Sequence, residues 1–404
     1  MITMESSSSS NKKSKRIGTT TITFVLAFSV AAFVASGVSY GAPPKPGPDL
    51  NDKVCKSIGG AWKAPTCTIP EGTAGVASSN FRLSKAPVLD IKGSLTINRG
   101  VTVDSDGTII VENTGGVGTE FDQPKYLAGL LVLGTLDNSG AITIKNETTD
   151  TEGITVSVSY SPNDASDPNP FTIVPGTLTN SGTITIQNRY QTRGIKNLGL
   201  LDNSAPGVIT VANSGTTSVG IYNRRDNHLN PGYYYVAGTL TNAGRITISN
   251  SGANGGYGIY NGGVITTTGS FTINASSADP DDLAGGFYNS GSFTNYGTLT
   301  NNRGTSPSSS LGSFNSGGTM INYGTTYVGT ADAPGGVFVN WEGSSMMINL
   351  GKIINWGGLI DVTQAATMVN YGTIFNYGGI GGGTNRGICI DEIAGAGECY
   401  SGGD

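Results

Sequence analysis

Gly176-Thr-Leu-Thr-Asn-Ser-Gly-Thr-Ile-Thr-Ile-Gln-Asn188 returns almost unchanged as Gly238-Thr-Leu-Thr-Asn-Ala-Gly-Arg-Ile-Thr-Ile-Ser-Asn250. An earlier copy begins at Gly134-Thr-Leu-Asp-Asn-Ser-Gly140. Degenerate copies follow at Gly291-Ser-Phe-Thr-Asn-Tyr-Gly297, Gly318-Thr-Met-Ile-Asn-Tyr-Gly324 and Thr367-Met-Val-Asn-Tyr-Gly372. A phrase that returns every 20 to 40 residues or so is one unit of a stacked architecture, not part of a globular domain. Inside the phrase, Ile184 and Ile186 fall on one face of a strand and Thr183 and Thr185 on the other. The isoleucines are expected to point inward and the threonines outward. One unit cannot bury its apolar face alone, so neighbours must stack above and below it.

Each unit reads as three short strands. A lead strand is visible in Gly220-Ile-Tyr-Asn223, Gly258-Ile-Tyr-Asn261 and Gly286-Phe-Tyr-Asn289. The Gly-Thr-Leu-Thr-Asn strand comes second and the Ile-Thr-Ile strand third. The lead Asn falls at 197, 223, 261, 289, 315 and 340, a base period near 26 with one long insertion. The expectation is an all-β chain: a three-sided parallel β-helix (β-solenoid) of about ten coils with capped ends. At the corners an Asn tolerates left-handed φ, and its amide can bond the Asn one coil away. The Gly after the corner is expected to supply the φ > 0 that a tight bend needs.

Composition agrees. Gly makes up 62 of 404 residues and charged residues only 13%, about twice and half their usual shares. Regular alternation of Ile, Leu, Val, Phe and Tyr argues against disorder.

Four segments follow. Residues 1–42 carry Lys12, Lys13, Lys15 and Arg16, then an apolar stretch from about Phe24 to Val38 and small residues up to Ala42. That is the layout of a secretory signal peptide; the alternative is an uncleaved membrane anchor. Residues 43–87 hold a Pro-rich spacer and a small module with Cys55, Cys67 and Trp62. The repeats are expected over 88–382, and 383–404 forms a C-terminal cap with Cys389, Cys399 and a Gly-rich tail. In an exported chain, two local cysteine pairs read as disulfides, Cys55 with Cys67 and Cys389 with Cys399. Their spacing lacks a zinc knuckle. Removing Lys12, Lys13, Lys15, Arg16 and Glu5 from totals of 23 basic and 28 acidic residues leaves 19 against 27. This balance disfavours nucleic acid as a partner.

Catalytic chemistry is hard to assemble. The one histidine, His228, sits in an insertion and reads as a solvated loop residue. Asp104-Ser-Asp106-Gly107 and Asp279-Pro-Asp281-Asp282 could gather oxygens for Ca²⁺, but without a complete loop pattern they read as acidic turns. Carbohydrate-cleaving β-helices need clustered carboxylates on one face. Here the exceptions to Thr, Ser and Asn are Lys145, Gln187, Arg189, Arg193, Lys196 and Arg245, with few carboxylates expected opposite them. No cofactor and no metal site is expected.

The insertions at 160–175, 224–236, 276–283 and 302–310 are where recognition is expected. The most recognition-like combines Arg224 and Arg225 with Tyr233, Tyr234 and Tyr235, because Arg and Tyr dominate binding hot spots. The alternative is a loop folded against the solenoid side. The corner aromatics Tyr296, Tyr323, Trp356, Tyr371 and Tyr377 are read as a structural stack rather than a sugar-gripping strip. Asn146 and Asn274 match the N-glycosylation sequon.

The two phrases quoted first resemble the Asn/Gly/Thr-rich β-solenoid stalks of prokaryotic surface adhesins, of the filamentous haemagglutinin-like and autotransporter passenger type. The likeness covers about residues 88–382, and no C-terminal barrel follows them. The Cys55–Cys67 module looks like short motifs of exported archaeal and bacterial proteins. The resemblance implies a secreted, cell-surface or extracellular non-enzymatic protein. It would adhere to a cell-surface or extracellular polymer or protein, carbohydrate included, or build an envelope or matrix layer. A self-assembling filament subunit is the alternative, and a β-helix polysaccharide-active enzyme the second alternative.

Overall fold

A computed structural model describes residues 47–113, 127–162, 171–215, 217–226, 236–251, 256–275, 285–303, 313–329, 337–341, 344–356, 359–362, 366–376 and 388–391. They belong to one compact unit, Pro46–Asp404. The expected signal segment, His228, Tyr233 to Tyr235, Tyr377, Cys399 and the Asp279–Asp282 cluster lie outside the described residues.

The chain is a parallel β-helix. Among the described residues the strands fall into three long sheets of 12, 13 and 11 strands, and two small antiparallel hairpins stand apart from them. Sheet 1 contains Thr177–Asn180, sheet 2 contains Thr183–Asn188 and sheet 3 contains Val219–Asn223. The chain visits sheets 1, 2 and 3 in turn and then returns, so strands adjacent in space come from successive coils. Equivalent residues pair in register: Leu136 with Leu178, Leu178 with Leu201, and Leu201 with Leu240. Strand spacing then sets the rise per coil at about 4.8 Å.

The alternation read from the sequence decides which way each side chain points. Thr183–Asn188 alternates exposed or half-buried with buried residues, and Ile184 and Ile186 are fully enclosed. Leu178 is equally buried. At one level the core changes from aliphatic to aromatic. Phe271, Phe287 and Phe293 come from three different sheets, with ring centroids 5.0–6.4 Å apart.

The corner Asn residues form ladders. The Nδ2 of Asn197 donates to Asn223 Oδ1, Asn223 to Asn261, Asn261 to Asn289, Asn289 to Asn315 and Asn315 to Asn340, all at 2.7–2.8 Å. A second ladder climbs sheet 1 through Asn138, Asn180, Asn203 and Asn242, and a third sheet 2 through Asn146, Asn188 and Asn213. Each amide donates toward the C-terminal coil. Burying so many amides is tolerable because the stack supplies partners that no single coil has.

Two expectations about the corners need correction. Among the described residues, positive φ occurs at Gly59, Gly72, Gly100, Gly317 and Gly329, and outside glycine at Asp150 and Thr217. No ladder Asn is among these, and of the described glycines that follow the ladder Asn residues only Gly317, after Asn315, is. The corner glycine is required because backbones approach too closely for a side chain, not because the turn is left-handed.

The sheets also begin earlier than Val88. Thr66–Ile69, Ala74–Ala77 and Phe81–Leu83 already pair in parallel with the next coil. The segment before the first coil lies against these edges. Ala61–Lys63 pairs antiparallel with Thr66–Ile69. Pro48 O accepts from Arg82 N, and Leu50 N donates to Arg82 O. Ile58 packs directly on Gly75. The helix Asp52–Ser57 starts at Asn51, whose side chain accepts from Val54 N. The disulfide Cys55–Cys67 ties this helix to the first coil. At the other end Ile388–Asp391, which carries Cys389, extends sheet 1.

Candidate functional site

Most outer strand faces carry Thr, but sheet 3 departs from this. Thr151–Val156 is buried on both faces, and Thr192–Asn197 nearly so. Register places Glu152 beside Arg193. The Arg193 guanidinium lies 2.9 Å and the Lys196 ammonium 3.5 Å from Glu152 Oε1. Thr155 donates its hydroxyl to Oε2 at 2.7 Å. Glu152 is only 3% exposed. Two cations and a hydroxyl surround this enclosed carboxylate and offset the cost of burying it.

The triad continues into a row of tyrosines. Lys196, Tyr222, Tyr260 and Tyr288 hold equivalent positions on successive coils. The rings of Tyr222 and Tyr260 lie 5.0 Å apart, and Tyr260 stacks on Tyr288 at 4.9 Å. Tyr257 packs edge-on against Tyr260. Arg193 sits over the Tyr222 ring at 4.3 Å from its centroid and Arg224 approaches it at 5.7 Å. Both contacts fall within cation–π range. Burial raises the Tyr222 phenol above its ordinary value, against the opposing pull of Arg224 and Arg193. Burial also raises Tyr257, helped by Tyr288. Both remain neutral donors at physiological pH. Beside the row runs an open groove bordered by Tyr222, Arg224, Tyr260, Ser290, Ser292 and Thr319. Its aromatic wall, single guanidinium and row of hydroxyls suit a polar, ring-shaped or anionic ligand lying along the coils.

Arg224 is therefore at the site. Arg225 lies in a two-residue strand, Arg225–Asp226, paired antiparallel with Val236–Ala237 at the base of the insertion. Tyr222, Tyr260 and Tyr288 were legible as the recurring Tyr of the lead strand, but they read as scaffold. Glu152 had no such signal.

Most of the basic residues expected to face few carboxylates do have acidic partners. Lys145 pairs with Glu112 at 3.0 Å, Arg189 with Glu147 at 3.5 Å, and Arg193 and Lys196 with Glu152. Their carboxylates stand opposite after all, because register joins residues 33 to 44 positions apart that look unrelated along the chain.

Sheet 1 carries an acidic groove near its N-terminal end, lined by Arg82, Asp104, Asp106, Asp137 and Ser139. Asp106 accepts hydrogen bonds from Ser139 and Arg82, which hold its carboxyl below the usual range. Asp104 is pushed up by burial and by Asp137, against the pull of Arg82. Among the described residues no cluster of three acidic, His or Cys side chains has metal-binding geometry.

Asn146 is fully buried, and the Nδ2 to which a glycan would attach donates to Asn188 Oδ1 and Arg193 O. The folded chain does not present it as an acceptor. Asn274 is half-buried and its Oδ1 accepts from Asn302. Of the corner aromatics, Tyr296 and Tyr323 stack, 4.8 Å apart and 5° from parallel; Leu350 stands between Tyr323 and Tyr371 in register, and Trp356 follows a strand of sheet 2. No family model, no curated protein and no solved structure matches the chain.

Proposed function

We propose that this β-solenoid is an exported, non-catalytic structural protein of the cell surface or extracellular space, which adheres to an extracellular polymer along sheet 3. The observation that carries the reading is the Tyr222–Tyr260–Tyr288 row with Arg224 at its end, beside an open hydroxyl-rich groove. Carbohydrate is the favoured polymer, because aromatic faces and hydroxyls recognise sugar rings and a guanidinium recognises their acidic substituents. Glu152, at the start of the row, is committed to Arg193, Lys196 and Thr155, which supports a positioning role rather than proton transfer. The secreted location and the adhesin character rest on the N-terminal segment and on the repeat resemblance.

The test is retention of the purified protein on immobilised acidic and neutral polysaccharides and on intact cells. Arg224→Gln combined with Tyr260→Ala should weaken retention at least tenfold while the melting temperature stays near that of the wild type. Equal retention of the two proteins would remove sheet 3 from the reading. Release of new reducing or unsaturated sugar ends would replace it with the enzymatic alternative. Pro48 and Leu50 already occupy the N-terminal edge of sheet 1, which argues against strand-to-strand addition there.

A further inference from the structure

The outer surface changes chemistry abruptly along the stack, and it does so on two sheets and the corner between them at about the same coil. On sheet 1 the outward row runs Thr241, Thr266, Thr294 and then Ile321, Ile348, Val369. On sheet 2 it runs Thr247, Thr272, Thr300 and then Tyr327, Ile354, Phe375. The corner position following the sheet 1 strand carries Ser181, Ser204, Ala243 and Thr268, and then Tyr296, Tyr323, Leu350 and Tyr371. Tyr296, Tyr323, Leu350, Tyr371 and Phe375 are 36–54% exposed. A stack needs only its inward rows to be apolar, so the inward core does not explain this outer band. Contiguous exposed apolar surface of this kind marks an interaction site.

We infer that this face is where a second copy of the chain docks side by side, forming a weak, reversible dimer. Two arguments select the occupant. The first is pitch. Three parallel rows with one apolar side chain about every 4.8 Å fit a surface with the same repeat, and the same face of a second copy supplies it under a two-fold axis. The second is area. Three coils carry the band on both sheets and span about 14 Å at about 4.8 Å each, and two four-residue strands at about 3.3 Å per residue span about 26 Å. The band is then about 370 Å² on each copy, about 750 Å² for the pair, which is below a stable interface and within the range of weak, transient ones. This small area gives the commitment to a weak dimer. The contact does not depend on what sheet 3 binds.

The test is sedimentation equilibrium of the full chain, about 1–200 µM, alongside the double variant Ile348→Thr, Leu350→Ser. Both replacements restore what upstream coils carry at the same positions, so the variant should fold. The wild type should show a monomer–dimer equilibrium, and the variant should lose at least tenfold in association with an unchanged melting temperature. A wild type that stays monomeric throughout overturns the proposal. Equal association of the two proteins also overturns it, since another segment would then be responsible. A monomer that binds phosphatidylcholine vesicles through these residues overturns it in favour of a lipid surface.

Discussion

Gly182 lies directly over Gly140: a β-carbon on Gly182 would stand 2.1 Å from the Gly140 carbonyl oxygen. The same contact recurs at Gly269 over Gly244 and at Gly324 over Gly297. The corner is therefore a column of touching backbones, and no rotamer relieves a clash with backbone. Gly182→Ala should destabilise by about 1–3 kcal/mol through overpacking, and Ser181→Ala next to it should change little. Urea denaturation of both variants checks this; equal effects would mean that the column yields.

Asn223 receives from Asn197 and donates to both Asn261 and Val264 O. Asn223→Ala removes all three bonds in a buried site and should cost about 2–4 kcal/mol. Because each coil touches only its neighbours, hydrogen exchange should accelerate most around Asn197 and Asn261. Uniform acceleration along the whole stack would contradict the ladder's local role.

Leu178 is fully buried between Leu136 and Leu201, whereas Thr179 faces outward. Leu178→Ala should cost about 2–5 kcal/mol and Thr179→Ala less than about 0.5 kcal/mol. Thermal melts that rank them equally would reverse the assigned faces.

Glu152 neutralises two enclosed cations, so Glu152→Ala leaves Arg193 and Lys196 facing each other without their carboxylate. The expected loss is about 3–5 kcal/mol. Adding Lys196→Met should recover part of it. A double variant no more stable than Glu152→Ala would show that charge is not the cause.

Stability near the acidic groove should depend on pH with opposite signs at two adjacent aspartates. Asp104 has a raised folded pKa, so its charged form opposes folding. That penalty is absent below the ordinary value of 3.8 and appears as pH rises through the raised one. Asp104→Asn should therefore raise the melting temperature at pH 7 and confer nothing at pH 3. Asp106 is lowered, so its contribution is present above 3.8 and fades as pH falls through its folded value. Asp106→Asn should lower the melting temperature at pH 7, with the difference shrinking in acid. A gain from Asp104→Asn that persists unchanged at pH 3 would contradict the assignment.

The chain itself specified the coil. Alternation at Thr183–Asn188 set which residues are buried, and the recurrence of Asn at the corners announced the ladders, because both are local patterns with a period that stacking must respect. What the one-dimensional text could not contain was register. Glu152 meets Arg193 across 41 positions and Glu112 meets Lys145 across 33, distances that depend on the lengths of unrelated insertions. The same holds for the tyrosine row on sheet 3 and the apolar band on sheets 1 and 2. The first is one such column and the second three side by side, assembled from separate coils and visible only once the coils are aligned. The reason for the corner glycine was likewise tertiary. Sequence alone suggested a left-handed turn, but the structure shows a backbone seated on the backbone one coil away.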